Sequence, residues 1–305
     1  MKTAIVTGAS GFIGCALVEE LLQHDYQVYA VCRRASCNKV PQDRNVETVA
    51  CDMHEIGRLA DLLPKMGYDF FFHLAWAGTA GGERINTELQ LQNAKWTVEA
   101  LRVSKALGCG RFVCAGSIME REAIASAYLQ GNRLGMGYIY GAGKVVSRIM
   151  SASIAAELKE EILWGVITNA YGPGEKSPRL VNTSIRKCIR KESLDFTAGT
   201  QNYDFVYIDD VARAFRLIAE RGNPFCEYLI GSSQAKPLRE FLLEMQAAIA
   251  PDIEFRFGEI PFTGADLPLS VFDCTSTERD TGFRAQVSFA EGCRRTMEWL
   301  KIQET

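Results

Sequence analysis

The sequence lacks several features that assign a chain to a large class of proteins at once. Its three histidines, His24, His54 and His73, lie far apart, so the sequence gives no support to a metal site. Ten cysteines are present without a C-x-x-C pair, so no common zinc motif is indicated. The net charge of −3 leaves no basic excess that would favour nucleic acid or an anionic membrane as a partner.

Long apolar runs are also missing. No stretch reaches the length of a transmembrane helix, and the first apolar run ends at Gly8, too early for a secretory signal peptide. Without an export signal, we expect the cysteines to be reduced thiols in a cytoplasmic protein. The 305 residues are 47% hydrophobic and 23% charged, which is an ordinary globular composition with ample material for a core.

What is present is an alternation of strand and helix signals in the first half of the chain. Short apolar runs at TAIVTG, QVYAVCR, VETVACD, YDFFFHLA and RFVCAGS alternate with longer segments of helical periodicity. Strands that alternate with helices indicate a parallel sheet covered on both faces. The sequence therefore predicts an α/β fold with a Rossmann-type doubly wound parallel sheet.

The junction between the first strand and the first helix reads TGASGFIG, a G-x-x-G-x-x-G spacing. Glycines there permit a tight turn, close approach of the backbone to a pyrophosphate and close packing of helix on strand. The positive end of the new helix then faces the anion. A glycine-rich turn without any ligand is the alternative. The dinucleotide site that the segment predicts comprises Gly8, Ser10, Gly11, Phe12, Ile13 and Gly14.

The end of the second strand indicates which dinucleotide is bound. Sites for NAD usually place an acidic residue there to hold the ribose 2′-hydroxyl, but this strand ends in AVCRRAS. Arg33 and Arg34 stand in place of the acid, and guanidinium groups can pair with a 2′-phosphate in bidentate fashion. We therefore favour NADP(H). NAD(H) stays open, because one or both arginines can equally be solvated surface residues.

The chain changes character after Gly172. A loop rich in proline and glycine, YGPGEKSP, is followed by a basic amphipathic segment and then by shorter, less regular elements. We expect residues 1–172 to form the dinucleotide-binding Rossmann domain, with 204–230 returning to it. Residues 173–203 and 231–305 are expected to form a smaller C-terminal substrate-binding lobe.

Tyr140 and Lys144 stand four residues apart in YGAGK, a spacing that puts both side chains on one face of a helix. A free phenol ionises only near pH 10, about three units above neutrality, and a nearby cation favours its charged form. A lysine one turn away therefore makes a tyrosine usable as an acid or a base. Taken alone, the spacing is also what two unrelated surface residues would show.

The motifs TGASGFIG, HLAWAG, FVCAGS, YGAGK, NAYGPGE and YDFVYIDDVARAF follow one another along the chain. In this order they resemble the extended short-chain dehydrogenase/reductases, and among these the NAD(P)-dependent epimerase/dehydratase branch that acts on nucleotide sugars. The similarity runs from residue 3 to about 220 and fades in the last third. It implies an oxidoreductase that works as a homodimer, paired through the helix at about 84 to 107 and the helix of Tyr140.

The resemblance implies roles for individual residues. Ser117, Tyr140 and Lys144 match the catalytic group, in which the tyrosine exchanges a proton, the serine binds the same substrate oxygen and the cofactor carries the hydride. Asn93 matches a residue that supports the lysine through ordered water. The further cofactor contacts that it implies are Asp52, Met53, Leu74, Ala75, Trp76, Asn93, Tyr140 and Lys144. The implied substrate contacts are Trp76, Ser117, Ile118, Met119, Asn169, Arg179 and Tyr203.

The two residues after Ser117 reduce the number of reactions that the resemblance allows. Sugar 4,6-dehydratases of this family carry an Asp-Glu pair there, whereas this chain has Ile118 and Met119, so elimination of water is disfavoured. The missing acid of the second strand favours a reductase that consumes NADPH, and an NDP-4-keto-6-deoxyhexose is the expected substrate. An NAD-dependent nucleotide-sugar epimerase stays open, and so does a non-enzymatic dinucleotide sensor. Trp76 can also be plain core packing.

One position leaves the nature of the substrate open. Many nucleotide-sugar members carry an arginine that binds the diphosphate where this chain has Tyr203, which can donate a hydrogen bond but supplies no charge. Lys176, Arg179 or Arg186 are candidates to compensate. If none of them does, the substrate is a smaller aldehyde or ketone without a nucleotide.

Overall fold

The computed structural model describes residues 1–128 and 134–304. The strands β1 to β13 span, in chain order, Lys2–Thr7, Tyr26–Cys32, Val46–Ala50, Tyr68–His73, Cys109–Ser117, Glu161–Ile167, Asn169–Tyr171, Leu194–Phe196, Asn202–Tyr203, Phe205–Tyr207, Glu227–Ile230, Lys236–Pro237 and Phe255–Phe257. The helices α1 to α10 span Phe12–Leu22, Leu59–Leu62, Thr87–Ala106, Met119–Ala127, Ile139–Leu158, Leu180–Ile189, Ile208–Arg221, Leu238–Ile249, Thr275–Thr281 and Phe289–Glu304. Five short 3-10 helices lie at Arg34–Lys39, Met53–Arg58, Gly81–Ile85, Met136–Tyr138 and Leu269–Phe272.

Seven strands form one sheet in the order β3-β2-β1-β4-β5-β6-β11. Every neighbouring pair in it is parallel. The chain winds outward from β1 in one direction and then, from β4, in the other, so the two halves of the sheet diverge between these two strands. Ligands bind at the carboxyl ends of the strands at such a switch point. The prediction of a Rossmann-type doubly wound sheet is confirmed.

The strands are apolar on both faces because helices cover both faces of the sheet. Ala4, Ile5 and Val6 of β1 are fully buried, as are Phe71 and Phe72 of β4. This is why the strands read as continuous hydrophobic runs in the sequence and not as an alternating pattern.

The remaining strands form three two-stranded ribbons, β10 with β7, β12 with β9, and β13 with β8. Beside them, Phe205, Phe241 and Phe289 pack their rings with centroids 5.0 to 5.1 Å apart. These aromatic rings belong to the same hydrophobic core as one face of the sheet, so the ribbons pack continuously against it. The division into a dinucleotide-binding domain and a substrate-binding lobe remains a prediction. Among the described residues, no helix has the length and apolar character needed to cross a membrane.

Candidate active site

Two cavities lie side by side at the carboxyl ends of the sheet strands. The first, which we call the glycine-loop cavity, has a volume of about 640 Å³ and is lined by the TGASGFIG segment and the ends of β2 and β4. The second, the Tyr140 cavity, has a volume of about 360 Å³ and contains the ends of β5 and β6. Both are lined by Ile13, Leu74, Trp76, Thr79, Glu175 and Arg179, so a ligand in one cavity can reach a ligand in the other.

Two glycines of the loop hold positions that no other residue could take. Gly8 has a φ of 72°, and a Cβ there would lie 2.8 Å from the backbone nitrogen of Ala75. A Cβ on Gly14 would lie 2.1 Å from the carbonyl oxygen of Gly8. The turn is therefore as tight as the spacing predicts, and α1 packs directly against it.

The start of α1 offers hydrogen-bond donors to an anion. Its N-cap is Gly11, and no side chain caps it. The first backbone N–H groups of a helix have no partner within the helix, and the helix dipole is positive at this end. These free N–H groups lie beside the glycine-loop cavity, where the backbone turns too tightly for a Cβ on Gly8 or Gly14. The arrangement fits the pyrophosphate of a dinucleotide.

Most of the predicted cofactor residues line the glycine-loop cavity. They are Gly8, Ser10, Gly11, Phe12, Ile13, Gly14, Arg33, Asp52, Met53, Leu74, Ala75 and Trp76. Burial acts to raise the pKa of Asp52, but hydrogen bonds from the backbone and ring of His54 outweigh it and hold that pKa below its usual value. Asp52 is therefore a carboxylate at the edge of this cavity.

The two predicted arginines differ in their placement. Arg33 is exposed and lines the cavity, whereas Arg34 is exposed and does not belong to the lining. Ser36 and Lys39, both in the 3-10 helix that follows β2, also line it. The positive charge at this end of the cavity thus comes from Arg33 and Lys39, and sequence reasoning missed Lys39 because it lies seven residues beyond the end of β2.

Tyr140 and Lys144 lie on α5 and face the Tyr140 cavity together. Both side chains are buried, with 8% and 4% of their surfaces exposed. The Lys144 ammonium donates a hydrogen bond to the carbonyl oxygen of Ala115 over 2.7 Å. A buried ammonium held in this way keeps its charge close to the phenol on the preceding helical turn.

Trp76 stands at the border of the two cavities and is more than core packing. Its ring centroid lies 3.7 Å from the Lys144 ammonium and 6.1 Å from the ring of Tyr140, to which it is nearly perpendicular. The indole N–H donates to Gln90 Oε1 over 2.7 Å. Since that glutamine is itself buried and donates to the carbonyls of Gly78 and Glu83, the indole is held in one orientation.

Ser117 ends β5 and reaches the same cavity from the other side. Its backbone N–H donates to the carboxylate of Glu120 over 2.7 Å, and its hydroxyl oxygen accepts a hydrogen bond from the backbone N–H of Met119 over 3.3 Å. Glu120 has 1% of its surface exposed and also accepts from the indole N–H of Trp164. Arg148 lies 4.0 Å from the same carboxylate.

Glu120 therefore joins the two elements that carry the predicted catalytic group. It bonds to the backbone of Ser117 on one side, and on the other it faces Arg148, which follows Lys144 by one turn of α5. Burial raises the pKa of Glu120, although the hydrogen bond from Ser117 and the charge of Lys144 oppose the rise. Sequence reasoning missed this glutamate, because nothing in its spacing distinguishes it from a surface residue of α4.

Asn93 and His73 lie behind the cavities. Both amide atoms of Asn93 bond with the backbone of Ala77, at 2.9 Å each, and no described contact joins it to Lys144. It thus fixes the loop after β4, and the predicted bridge through ordered water remains a prediction. His73 hydrogen-bonds through its two ring nitrogens to Thr7 and Thr97. Burial, and to a lesser degree the charge of Lys144, lowers the pKa of His73 to about 3.

All predicted substrate residues line the Tyr140 cavity. They are Trp76, Ser117, Ile118, Met119, Asn169, Arg179 and Tyr203. The side-chain amide of Asn169 donates a hydrogen bond to the carbonyl oxygen of Asp204 over 3.0 Å. This bond, to the residue just before β10, fixes the orientation of the amide. Tyr203 stacks on Phe205 with ring centroids 5.7 Å apart, and burial raises the pKa of its phenol.

The cations proposed to compensate for the missing arginine at position 203 are not equivalent. Arg179 lines both cavities, but its guanidinium lies 3.5 Å from the carboxylate of buried Glu175. Lys176 is exposed, and neither it nor Arg186 belongs to the lining of the Tyr140 cavity. The lining includes a cation that the sequence analysis missed, Arg84, which lies before α3 in the short 3-10 helix Gly81–Ile85, whose sequence shows no recognisable motif.

The sequence model of the NAD dependent epimerase/dehydratase family matches residues 4–231, most of the chain. The chain belongs to this family. Among its relatives, the CDP-abequose synthase of Salmonella typhimurium is 22% identical over 308 residues, covering 97% of each chain. The UDP-glucose 4-epimerase of Mycolicibacterium smegmatis is 24% identical over 314 residues, covering 99% of each chain.

A solved structure shares the fold over nearly the whole chain. The Bordetella bronchiseptica enzyme WbmF, in complex with NAD+ and UDP, superposes with a TM-score of 0.80 at 23% identity, covering 99% of this chain and 93% of that one. Family membership confirms the predicted resemblance and makes the chain an enzyme of the short-chain dehydrogenase/reductase type with a nicotinamide dinucleotide as cofactor.

Proposed function

We propose that this enzyme is an NADP(H)-dependent reductase of a keto group, acting on an NDP-4-keto-6-deoxyhexose. The observation that carries the proposal is the convergence of Ser117, Tyr140 and Lys144 on one cavity that adjoins the glycine-loop cavity. When bound, the nicotinamide dinucleotide supplies the hydride. The residues of the chain then have to bind the substrate oxygen, orient it and provide a proton.

Tyr140 is the proton donor in this proposal. Its phenol gives a proton to the substrate oxygen as the keto group becomes an alcohol, and the hydroxyl of Ser117 hydrogen-bonds the same oxygen. Lys144 stabilises the phenolate that Tyr140 leaves behind, because its ammonium is held in the buried wall of the cavity. Ser117 lies at the end of β5, and Tyr140 and Lys144 lie in α5. These regular elements hold the three side chains in fixed positions relative to one another.

Elimination of water is disfavoured by the side chains next to Ser117. Ile118 and Met119 line the cavity and carry no acid or base. The carboxylate of Glu120 bonds to the backbone of Ser117 and to Trp164 and does not belong to the lining. Reduction, which needs a proton donor and no second carboxylate, fits this wall better than dehydration.

NADP(H) is favoured over NAD(H) by the charge at the end of β2. Arg33 and Lys39 both line the glycine-loop cavity there, and a 2′-phosphate is the part of the dinucleotide that two cations fit. An NAD-dependent nucleotide-sugar epimerase is the second candidate, favoured by the relative named UDP-glucose 4-epimerase. An epimerase retains its NAD and shows no net consumption of it.

We further propose a homodimer paired through α3 and α5. Leu91 of α3 and Met150 of α5 are more than half exposed, and both line a surface depression of about 670 Å³ together with Ala94, Val98 and Val146. Apolar residues exposed together in this way are typical of subunit interfaces. Light scattering of the purified protein should give twice the chain mass, and a strict monomer would contradict the proposal.

The experiment that tests the function is a screen of NADPH and NADH oxidation against NDP-4-keto-6-deoxyhexoses and simple aldehydes and ketones. Oxidation of NADPH with a nucleotide-linked keto sugar is the expected result. Oxidation only with simple carbonyl compounds would remove the nucleotide from the proposal. Interconversion of nucleotide sugars without net oxidation would favour the epimerase, and tight binding of the dinucleotide without any turnover would favour a sensor.

A further inference from the structure

The Tyr140 cavity holds one cation, Arg84, whose guanidinium has no hydrogen-bond or ion-pair acceptor among the described residues. Arg84 lies in the 3-10 helix Gly81–Ile85, between β4 and α3, and lines the cavity with Ser117 and Tyr140. Its guanidinium carbon lies 4.9 Å from the centroid of the Tyr140 ring. The cation is therefore next to the residue that the proposed reaction uses as its proton donor.

The hydrogen bonds of this guanidinium are incomplete. Its Nε atom is buried, and no residue in the described part of the chain accepts a hydrogen bond from it. A buried donor without an acceptor costs about 1–3 kcal/mol, so native structures rarely keep one unless something else binds there. Arg84 is half-buried and faces a cavity large enough for a ligand, which makes a ligand acceptor the simplest explanation.

The other cations of the cavity are already engaged. Lys144 donates to the carbonyl oxygen of Ala115, and the guanidinium of Arg179 faces the carboxylate of Glu175 at 3.5 Å. By contrast, no carboxylate of the described residues comes within 4.0 Å of Arg84. Of the cations that line this wall, Arg84 is thus the one whose guanidinium has no hydrogen-bond or ion-pair acceptor among the described residues.

The nearest acidic group compensates for Arg84 only in part. Burial raises the pKa of Glu122 to about 7, and the charge of Arg84 lowers it. At neutral pH this carboxyl group is therefore partly protonated and leaves part of the guanidinium charge unbalanced. Burial raises the pKa of Tyr203, and the charge of Arg84 acts to lower it. Tyr203 stands where many nucleotide-sugar members of the family carry an arginine.

We propose that Arg84 is the residue with which this cavity recognises an oxyanion of its substrate, supplying from the loop after β4 the positive charge that position 203 lacks. A guanidinium presents paired donors that match a carboxylate or a phosphate in bidentate fashion. Two oxyanions fit this chemistry, the diphosphate of a nucleotide sugar and a carboxylate on its sugar ring. The inference rests on the proposed function, because it takes a nucleotide-linked sugar as the occupant of the cavity.

The test is calorimetric binding of three probes, UDP, UDP-glucose and UDP-glucuronate, to the full chain loaded with its dinucleotide. Arg84→Gln removes the charge, Arg84→Lys keeps it without the bidentate geometry, and Arg279→Gln is a matched control at an exposed position outside both cavities. Equal affinity of all variants for the dinucleotide shows that the fold and the neighbouring cavity are intact. We expect Arg84→Gln to weaken binding by roughly tenfold or more, and Arg84→Lys to weaken it less.

The three probes separate the two sources of the oxyanion. A similar loss for all three in Arg84→Gln assigns Arg84 to the diphosphate, whereas a loss confined to UDP-glucuronate assigns it to a sugar carboxylate. If the wild-type enzyme binds the probes and Arg84→Gln binds them within twofold as well, the inference is wrong and the proposed function is untouched. If the wild-type enzyme binds none of the three, and none of the same sugars linked to CDP or dTDP, the inference and the nucleotide-sugar function fail together.

Discussion

The two cavities that meet at Trp76 differ in what shapes them and in how deeply their cations are buried. The glycine-loop cavity is shaped by the backbone of one short glycine loop and the adjacent strand ends, and its cations at the end of β2, Arg33 and Lys39, are exposed. The Tyr140 cavity carries the side chains of the proposed reaction in its wall, and the charge beside them is buried, with Lys144 at 4% exposure. Charges interact more strongly where water is excluded.

This difference has a consequence for mutation. A site made of backbone tolerates side-chain replacement except where a Cβ cannot fit, and its exposed cations contribute modestly because solvent screens them. A site made of buried side chains depends on each of them, since removal of one leaves its partners desolvated and unpaired. Variants in the Tyr140 cavity should therefore have larger effects than charge variants in the glycine-loop cavity.

The largest effect is expected at Tyr140. Tyr140→Phe removes the hydroxyl and keeps the ring, so turnover should fall by roughly 10² to 10⁴-fold while affinity for the dinucleotide stays within about twofold. NADPH oxidation and fluorescence quenching measure the two quantities. Tyr138→Phe, the same change two residues earlier and outside the cavity, is the control and should keep its activity. Unchanged turnover in Tyr140→Phe would remove this residue from the mechanism.

The next largest effect is expected at Glu120. Glu120→Ala leaves the backbone N–H of Ser117 and the indole of Trp164 without their acceptor, and should lower the free energy of unfolding by about 1–3 kcal/mol. Because the backbone of Ser117 then loses the hydrogen bond that holds it at the end of β5, kcat should fall more than KM rises.

Glu120→Gln is the matched control, since its amide oxygen can still accept from Ser117. It should restore most of the lost turnover, which thermal unfolding and steady-state kinetics would show together. An alanine variant with normal kcat, whatever its stability, would mean that Glu120 does not position the serine.

A smaller effect is expected in the glycine-loop cavity. Arg33→Ala should weaken the binding of NADPH by about tenfold, the equivalent of one charge-assisted hydrogen bond. It should leave the affinity for NADH unchanged. Arg34→Ala is the control from the same loop, because Arg34 is outside the cavity lining. Equal losses in the two variants, or an equal preference of the wild-type enzyme for both dinucleotides, would contradict the assignment of the 2′-phosphate to Arg33.

The smallest effect is a pH dependence of stability from Glu122. Its pKa rises from 4.5 to about 7 on folding, chiefly through burial. Between these values the folded chain binds more protons at this site than the unfolded chain, so the fold loses stability as the pH rises from about 4.5 to 7. Glu122→Gln should flatten this slope in thermal unfolding, with exposed Glu157→Gln as the control. An unaltered slope would show that Glu122 does not titrate in this range.

Much of the fold and one of the cavities could be predicted from the sequence. The alternation of apolar strands and amphipathic helices fixed the doubly wound sheet, and the glycine spacing located the loop where a Cβ on Gly14 would meet the oxygen of Gly8. Both are local requirements on the backbone, so they leave a pattern within a few neighbouring residues. The spacing of Tyr140 and Lys144 was readable for the same reason, since one helical turn relates them.

Other parts of the site left no such pattern. Arg84 reaches the ring of Tyr140 from 56 positions earlier in the chain, and Glu120 is distinguished from a surface glutamate only by the indole and guanidinium that surround it. Lys39 joins Arg33 because a 3-10 helix turns the chain back over the cavity. Such neighbours are set by long-range packing, and composition or spacing near each residue does not record them.

By itself, the sequence determined the doubly wound sheet, the glycine turn and the placing of Tyr140 and Lys144 on one helix face, because periodicity, glycine geometry and one helical turn act over short distances along the chain. The tertiary structure alone decided which charges stand beside that group and which are already neutralised. The physical reason is that burial and pairing depend on every element packed around a side chain, and those elements come from distant parts of the chain.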